Sequence, residues 1–174
     1  MSELLDKARR VRLMAFDIDG VMTDGHLYFS PAGDELKAFF SRDGLGLKML
    51  AKSGVKLAVI TGRDSPIVSR RMENLDIALV RQGVEDKRAT MAELLRDEGL
   101  DFCQAGYMGD DVVDLAVMAA CAFSATVPDC HRLIRQQADY VAAAPAGSGA
   151  VREVCEFLLQ AQDNWDSVMA AYRP

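Results

Sequence analysis

The sequence is poor in the groups that build thiolate-metal, nucleic-acid or membrane proteins. Its 174 residues include two histidines, His26 and His131, and four cysteines, Cys103, Cys121, Cys130 and Cys155, with no CxxC pair. This excludes the usual zinc spacings and a disulfide framework, and leaves reduced thiols in apolar or helical surroundings. No basic run is present, and 20 Lys+Arg against 26 Asp+Glu give a net charge of -6. Nothing is available to neutralise a phosphodiester backbone, so nucleic acid is not an expected partner. Apolar stretches such as Val55 to Ile60 are far too short to span a bilayer, and Met1 to Arg10 lacks the apolar core of a signal peptide. The expectation is a cytoplasmic protein with no membrane partner. Internal repeats, low-complexity tracts and interdomain linkers are also missing.

What is present is an ordinary globular balance, 50% hydrophobic and 26% charged. At this length that predicts one well-buried core and a single domain over residues 1–174. Short apolar runs at Val11 to Phe16, Val55 to Ile60, Ile77 to Val80, Ala105 to Met108 and Ala122 to Ala125 read as buried parallel strands. Helical spacing occupies the intervals Leu45 to Lys52, Ile67 to Asn74, Lys87 to Glu98, Val112 to Ala120 and His131 to Gln137. Strand and helix in alternation imply an α/β fold with a doubly wound parallel sheet. Gly25 to Ser41 breaks the alternation, with His26-Leu27-Tyr28-Phe29 and Leu36-Lys37-Ala38-Phe39-Phe40 flanking Ser30-Pro31-Ala32-Gly33-Asp34. That pattern predicts a projecting β-hairpin, about residues 25–41, with aromatics available to pack on another subunit. An amphipathic helix from Ala150 opens a C-terminal helical segment, about residues 149–172.

The chemistry gathers where these elements end. Asp17-Ile18-Asp19-Gly20 closes the first strand, the place where open α/β sheets keep their ligand crevices. Two carboxylates so close need a compensating cation, and a hard, oxygen-seeking Mg²⁺ fits. At an effective dielectric of about 20, two unit charges about 4 Å apart interact by roughly 4 kcal/mol, so neutralising the pair matters. Three more pieces stand at other strand ends or helix starts: Thr61-Gly62-Arg63, Lys87, and Gly109-Asp110-Asp111. Thr61 offers a hydroxyl donor, Gly62 a close backbone approach, Lys87 a point charge for phosphate, and Asp110 an oxygen for the metal. Singly, each reads equally as a turn, a strand end, a solvated lysine or a helix cap. Together, in this order, they predict a phosphoryl-transfer site.

These four motifs resemble those of the haloacid dehalogenase superfamily, and the likeness covers nearly the whole chain. It implies that Asp17 attacks phosphorus to form an aspartyl-phosphate, while Asp19 protonates the leaving oxygen and then activates water. It implies that Thr61, Gly62 and Lys87 hold the phosphoryl group. Mg²⁺ would be held by the Asp17 carboxylate, the Asp19 backbone carbonyl and Asp110, with Asp111 and Asp114 in supporting roles. An aspartate at the second motif position marks a phosphatase, because it can both give and take a proton. The motif intervals leave no room for a cap domain, so local loops or a neighbouring subunit must select the substrate.

A finer likeness is to the 3-deoxy-D-manno-octulosonate 8-phosphate phosphatase family. It lies in Asp19-Gly20-Val21-Met22-Thr23-Asp24-Gly25, Phe39-Phe40-Ser41-Arg42-Asp43-Gly44-Leu45-Gly46, Thr61-Gly62-Arg63 and Gly149-Ala150-Val151-Arg152-Glu153-Val154-Cys155. The resemblance implies a capless homotetramer acting on a sugar acid phosphate in lipopolysaccharide biosynthesis. Ser41, Arg42, Asp43, Gly44, Lys48, Arg63 and Arg71 stand at the family's substrate-binding positions, where a guanidinium fork can grip a carboxylate or a phosphate. The chain departs from the family at Ser148, where Arg is common, and at Lys48. Three other readings remain open: a phosphatase of a nine-carbon sugar acid or other sugar phosphate, a non-catalytic module for binding or oligomerisation, and a signalling receiver domain.

Overall fold

The computed structural model describes residues 2–173. Six parallel strands form the sheet: β1 (Leu13–Phe16), β4 (Lys56–Ile60), β5 (Leu79–Arg81), β6 (Ala105–Met108), β7 (Phe123–Thr126) and β8 (Tyr140–Val141), in the order β5-β4-β1-β6-β7-β8. Two further strands, β2 (Tyr28–Phe29) and β3 (Glu35–Leu36), pair antiparallel with each other as a separate ribbon. The helices are α1 (Ser2–Arg10), α2 (Ser41–Lys52), α3 (Pro66–Asn74), α4 (Lys87–Asp97), α5 (Leu115–Ala120), α6 (Arg132–Gln137), α7 (Ala150–Ala161) and α8 (Trp165–Met169). The α/β parallel sheet expected from the alternation is therefore what the chain forms.

β1 explains why a continuous apolar run is needed at the centre of such a sheet. Met14 and Phe16 face a core layer with Leu47 and Leu50 of α2 and Leu158 of α7. Leu13 and Ala15 face the opposite layer with Met91 and Leu94 of α4 and Val117 of α5. Both faces are covered, so alternation of polar and apolar residues is lost. The chain runs outward through β4 and β5, then returns to place β6 on the other side of β1. That reversal opens a crevice beyond the carboxyl ends of β1, β4 and β6.

Several boundaries moved. α2 starts at Ser41 rather than Leu45, and Gly44 and Gly46, poor helix formers, are kept there by packing. A Cβ on Gly46 would come within 3.0 Å of the Arg152 Cα, and one on Gly44 within 2.5 Å of Arg71 Nη2. β5 lies at Leu79–Arg81 instead of residues 77–80, because Ile77 is spent in the core beneath α3. The interval from Val112 splits into a 3-10 turn, Val112–Asp114, and α5. α1 and β8 had no counterpart in the sequence reading. The hairpin forms around the expected turn, with Ser30 donating to the Asp34 carbonyl at 2.9 Å and Gly33 at φ +89°. Its arms pair only as Tyr28 with Leu36 and Phe29 with Glu35. Beyond Leu36 the chain leaves the ladder, sending the Lys37 side chain inward and packing Phe39 on the core.

Among the described residues no helix is long and apolar enough to cross a membrane. Leu158, fully buried in α7, sits in the layer that joins α7 to α2 and the sheet. Leu158→Ala is expected to lower unfolding stability by about 2–5 kcal/mol in a urea titration. A loss well under 1 kcal/mol would show that this layer is loosely packed.

Candidate active site

Parallel register brings the candidate site residues to one end of the sheet. Phe16 pairs with Val59 and with Met108, so Asp17 emerges level with the ends of both neighbouring strands. Thr61 follows β4, Gly109 and Asp110 follow β6, and Lys87 is the first residue of α4, reached from β5. The turn after β1 folds tightly, with Val21, Met22 and Thr23 all donating to the Ile18 carbonyl. Gly20 sits at φ +86°, and a Cβ there would lie 2.2 Å from Asp110 Oδ2. The glycine of the first motif is thus what lets Asp110 close on the loop after β1.

Asp17 is only 6% exposed. Its Oδ1 accepts from the Ile18 backbone at 2.7 Å and its Oδ2 from Lys87 Nζ at 2.7 Å. The same ammonium donates to Asp114 Oδ1 at 2.7 Å. Asp114 is fully occupied: Tyr107 donates its hydroxyl to Oδ1 at 3.0 Å, and the Asp110 and Asp111 backbones donate to Oδ2 at 3.1 and 3.2 Å. Asp111 caps the 3-10 turn and shares a reciprocal capping box with Asp114. Asp114 therefore organises the loop and aims Lys87.

Ligand oxygens of Asp17, Asp110 and Asp114 all lie within 4.8 Å of one another. Three carboxylates face one ammonium, and the imbalance is felt. Burial, with Asp114 adding and Lys87 opposing, pushes the Asp17 carboxyl up to about 6. Burial and the charges of Asp17 and Asp114 push Asp110 up to about 7. Burial works against the Lys87 ammonium, but Asp17 and Asp114 outweigh it and raise its pKa. A hard divalent cation fits this donor set, since Asp114 is already committed while Asp17 and Asp110 keep oxygens to offer.

Asp19 points elsewhere. Its Oδ1 pairs with Lys37, and its Oδ2 lies 3.6 Å from Arg63 Nε. Glu35 accepts from Ser65 Oγ at 2.6 Å and from Arg63 Nη2 at 3.1 Å. Asp17, Asp19, Thr61, Gly62, Arg63, Lys87 and the apolar Val113 are among the residues lining a cavity of about 380 Å³. The fold thus brings the nucleophile, acid/base and phosphate-binding candidates to one crevice.

The remaining substrate-binding candidates do not line that cavity within this chain. Ser41 and Arg42 are exposed at the start of α2, with Arg42 above the Phe40 ring at 5.8 Å. Asp43 is buried and accepts from the Arg152 backbone at 2.8 Å, so it caps α7 from a neighbouring helix. Gly44 makes room for Arg71, which stacks over Phe39 at 5.7 Å. Lys48 pairs with Asp76 at 3.2 Å on the surface. Gly147, at φ +59°, presses against Thr23 and Asp24, where a Cβ would meet the Thr23 carbonyl carbon at 2.6 Å. This sets the exposed Ser148 beside the catalytic loop. Sequence reading missed Glu35, Lys37 and Tyr107. The signal for the first two was their spacing of two, which puts both on one face of an extended arm.

Because Asp17 and Asp110 hold protons more tightly folded than unfolded, they cost stability as pH rises from the ordinary carboxylate range towards about 7. Without metal, Asp110→Asn should melt about 2–4 °C above the parent near pH 7.5, the gap narrowing towards pH 5. Mg²⁺ should raise the parent's melting temperature and leave the variant's unchanged. Thermal scans at both pH values with and without Mg²⁺ check this, and a lower-melting metal-free variant near pH 7.5 would contradict the repulsion.

No protein-family model matches the chain. Among curated proteins it is 42% identical over 161 residues, 92% of this chain and 86% of the relative, to the 3-deoxy-D-manno-octulosonate 8-phosphate phosphatase KdsC of Yersinia pestis. The Escherichia coli K12 protein of the same name is 39% identical over 165 residues, covering 95% of this chain and 88% of its own. Of solved structures, the Moraxella catarrhalis 3-deoxy-D-manno-octulosonate 8-phosphate phosphatase, in complex with magnesium ion, phosphate ion and KDO, superposes with a TM-score of 0.97 at 40% identity, covering 99% of both chains. The cobalt-bound Haemophilus influenzae phosphatase gives 0.88 at 39% identity, covering 91% of this chain and 93% of that one. A HAD-superfamily hydrolase of Legionella pneumophila gives 0.95 at 35% identity, covering 99% and 94%. With relatives so similar along nearly their full length, the chain belongs to the 3-deoxy-D-manno-octulosonate 8-phosphate phosphatase family of the haloacid dehalogenase superfamily.

Proposed function

We propose that this chain is a Mg²⁺-dependent phosphatase that hydrolyses 3-deoxy-D-manno-octulosonate 8-phosphate to the free sugar acid and phosphate, through an aspartyl-phosphate on Asp17. The observation that carries the reading is the buried Asp17 carboxylate at the end of β1, held by Lys87 and the Ile18 amide beside Asp110, with Asp19 two residues on and free of that cluster. The Moraxella catarrhalis relative was solved with magnesium ion, phosphate ion and KDO.

The chemistry follows from the residues. Asp17 is oriented by two donors, so one of its oxygens can meet phosphorus with little reorganisation. Lys87 and Thr61, which line the cavity, donate to the phosphoryl oxygens. Asp19 gives its proton to the departing sugar oxygen, then as carboxylate takes one from the water that attacks the aspartyl-phosphate. Arg63 supplies a fork for the substrate carboxylate. The Asp17 and Asp110 carboxylates and the Asp19 carbonyl would hold Mg²⁺, which would supply charge to offset repulsion between the nucleophile and the phosphate dianion. Ser41, Arg42, Asp43, Gly44, Lys48 and Arg71 complete the reading as substrate-side residues, and residues 1–174 act as one cytoplasmic catalytic domain in lipopolysaccharide biosynthesis.

A homotetramer belongs to the same reading. Leu27, Tyr28, Leu36 and Phe29, the last 62% exposed, form an apolar patch on the hairpin. Joining hairpins would cover it.

Phosphate release should require Mg²⁺ and favour the eight-carbon acid phosphate at least about tenfold in kcat/KM over nine-carbon acid and hexose phosphates, a difference of about 1.4 kcal/mol. Comparable turnover of all three would keep the phosphatase and discard the substrate. Asp17→Asn should abolish turnover with the fold intact by circular dichroism. Phe29→Asp with Leu36→Asp should lower the mass seen by light scattering, and an unchanged mass would remove the hairpin from the interface.

A further inference from the structure

Just past β3 the chain sends a cation inward behind the wall of the cleft. The Lys37 side chain is 1% exposed, and its ammonium pairs with Asp19 Oδ1 and lies 3.4 Å from Glu35 Oε1. Glu35 accepts from Arg63, and Arg63 returns to Asp19 Oδ2 at 3.6 Å. Asp19, Lys37, Glu35 and Arg63 thus close into a ring of alternating charge. A buried ammonium is costly unless its partners compensate it, and an apolar side chain of similar length would serve hairpin packing better. The placement of the ring is specific: Asp19 and Arg63 line the cavity, whereas Lys37 does not. Its ammonium meets the cavity lining directly at Asp19 and, one step further off, through Glu35 at Arg63.

We propose that Lys37 is the positioning residue of Asp19. This rests on the reading of Asp19 as the acid and base of phosphoryl transfer. Lys37 anchors Oδ1, which leaves Oδ2 to carry the proton towards the cavity. As the Asp17 oxygen bonds to phosphorus, the ester P–O bond breaks and its electron pair leaves on the sugar oxygen. That oxygen takes the proton from Asp19, which becomes a carboxylate beside an ammonium already in place. Arg63 is 44% exposed and stands 3.6 Å from Oδ2, so it does not replace this anchor. Glu35 ties the ring to the hairpin and, through Ser65, to the start of α3. Hairpin placement and the aim of the acid are therefore mechanically joined.

The test compares leaving groups. Lys37→Met and Lys37→Arg are assayed on the sugar acid phosphate, whose alkoxide needs a proton to leave, and on p-nitrophenyl phosphate, whose nitrophenolate leaves without one. Lys37→Met should lower kcat/KM for the sugar phosphate on the order of 10–100-fold and for the aryl phosphate less than about threefold, with Lys37→Arg recovering part of the loss. Equal losses on both substrates, or no loss on either, would overturn the proposal, the first by assigning Lys37 to hairpin stability alone. Urea midpoints are taken alongside. Should Lys37→Met fail to fold, Lys37→Arg, which keeps the charge and shifts the donor, must still show the larger loss on the sugar phosphate. Failure of the underlying reading looks different: the unmodified protein would release no Mg²⁺-dependent phosphate from either substrate.

Discussion

Three carboxylates share one ammonium at the end of a buried strand, and much of this molecule is arranged around that imbalance. Lys87 bridges Asp17 and Asp114 at 2.7 Å each, and Asp110 stands close by without a cation of its own. Burial first, and then the neighbouring carboxylates, push the Asp17 and Asp110 carboxyls up to about 6 and about 7 against the pull of Lys87. Such a cluster persists only if the surrounding fold over-determines it. Here the support comes from the Tyr107 hydroxyl and two backbone amides on Asp114, from Gly20 yielding its Cβ space to Asp110, and from a sheet packed on both faces. The same unmet negative charge makes the site a receptor for a hard cation and, with it, for a phosphate.

Separation of the two aspartates of the first motif is the second organising fact. Asp17 turns into the charged floor, whereas Asp19 turns towards the hairpin and its lysine. Residues two apart on an extended segment would share a face, but the tight turn at Ile18 ends the strand and sends them to different partners. One carboxylate can then act as nucleophile while the other handles protons, because their surroundings differ.

The hairpin serves both sides of the molecule. Its outer surface exposes Leu27, Tyr28, Phe29 and Leu36, while its inner side brings Glu35 and Lys37 to Arg63 and Asp19 behind the cleft wall. A ribbon of two paired residues per strand is too short to be stable alone, so its position depends on those inner ion pairs and on Phe39 in the core. The candidate substrate-binding residues are spread more thinly. Arg63 lines the cleft, whereas Asp43 is occupied in capping α7 and Lys48 pairs with Asp76 on the surface.

The sequence by itself determined the layered α/β sheet, since runs such as residues 13–16 and 105–108 can be buried on both faces only in that arrangement. It also offered the candidate site residues, because Asp17, Asp19, Thr61 and Asp110 stand where apolar runs end and Lys87 where a helix begins. Boundaries slipped where tertiary packing outweighed local preference, as at Gly44 and Gly46 inside α2, or where a segment was too short to show a period, as in β8. Only the tertiary structure decided that Asp114 rather than solvent aims Lys87, that Asp43 belongs to a helix cap, and that Lys37 reaches Asp19 across 18 residues of chain. Periodicity reports which side of an element is buried. It carries no information about which distant polar groups must pair once the elements meet, and those pairings turn a list of acidic residues into a site.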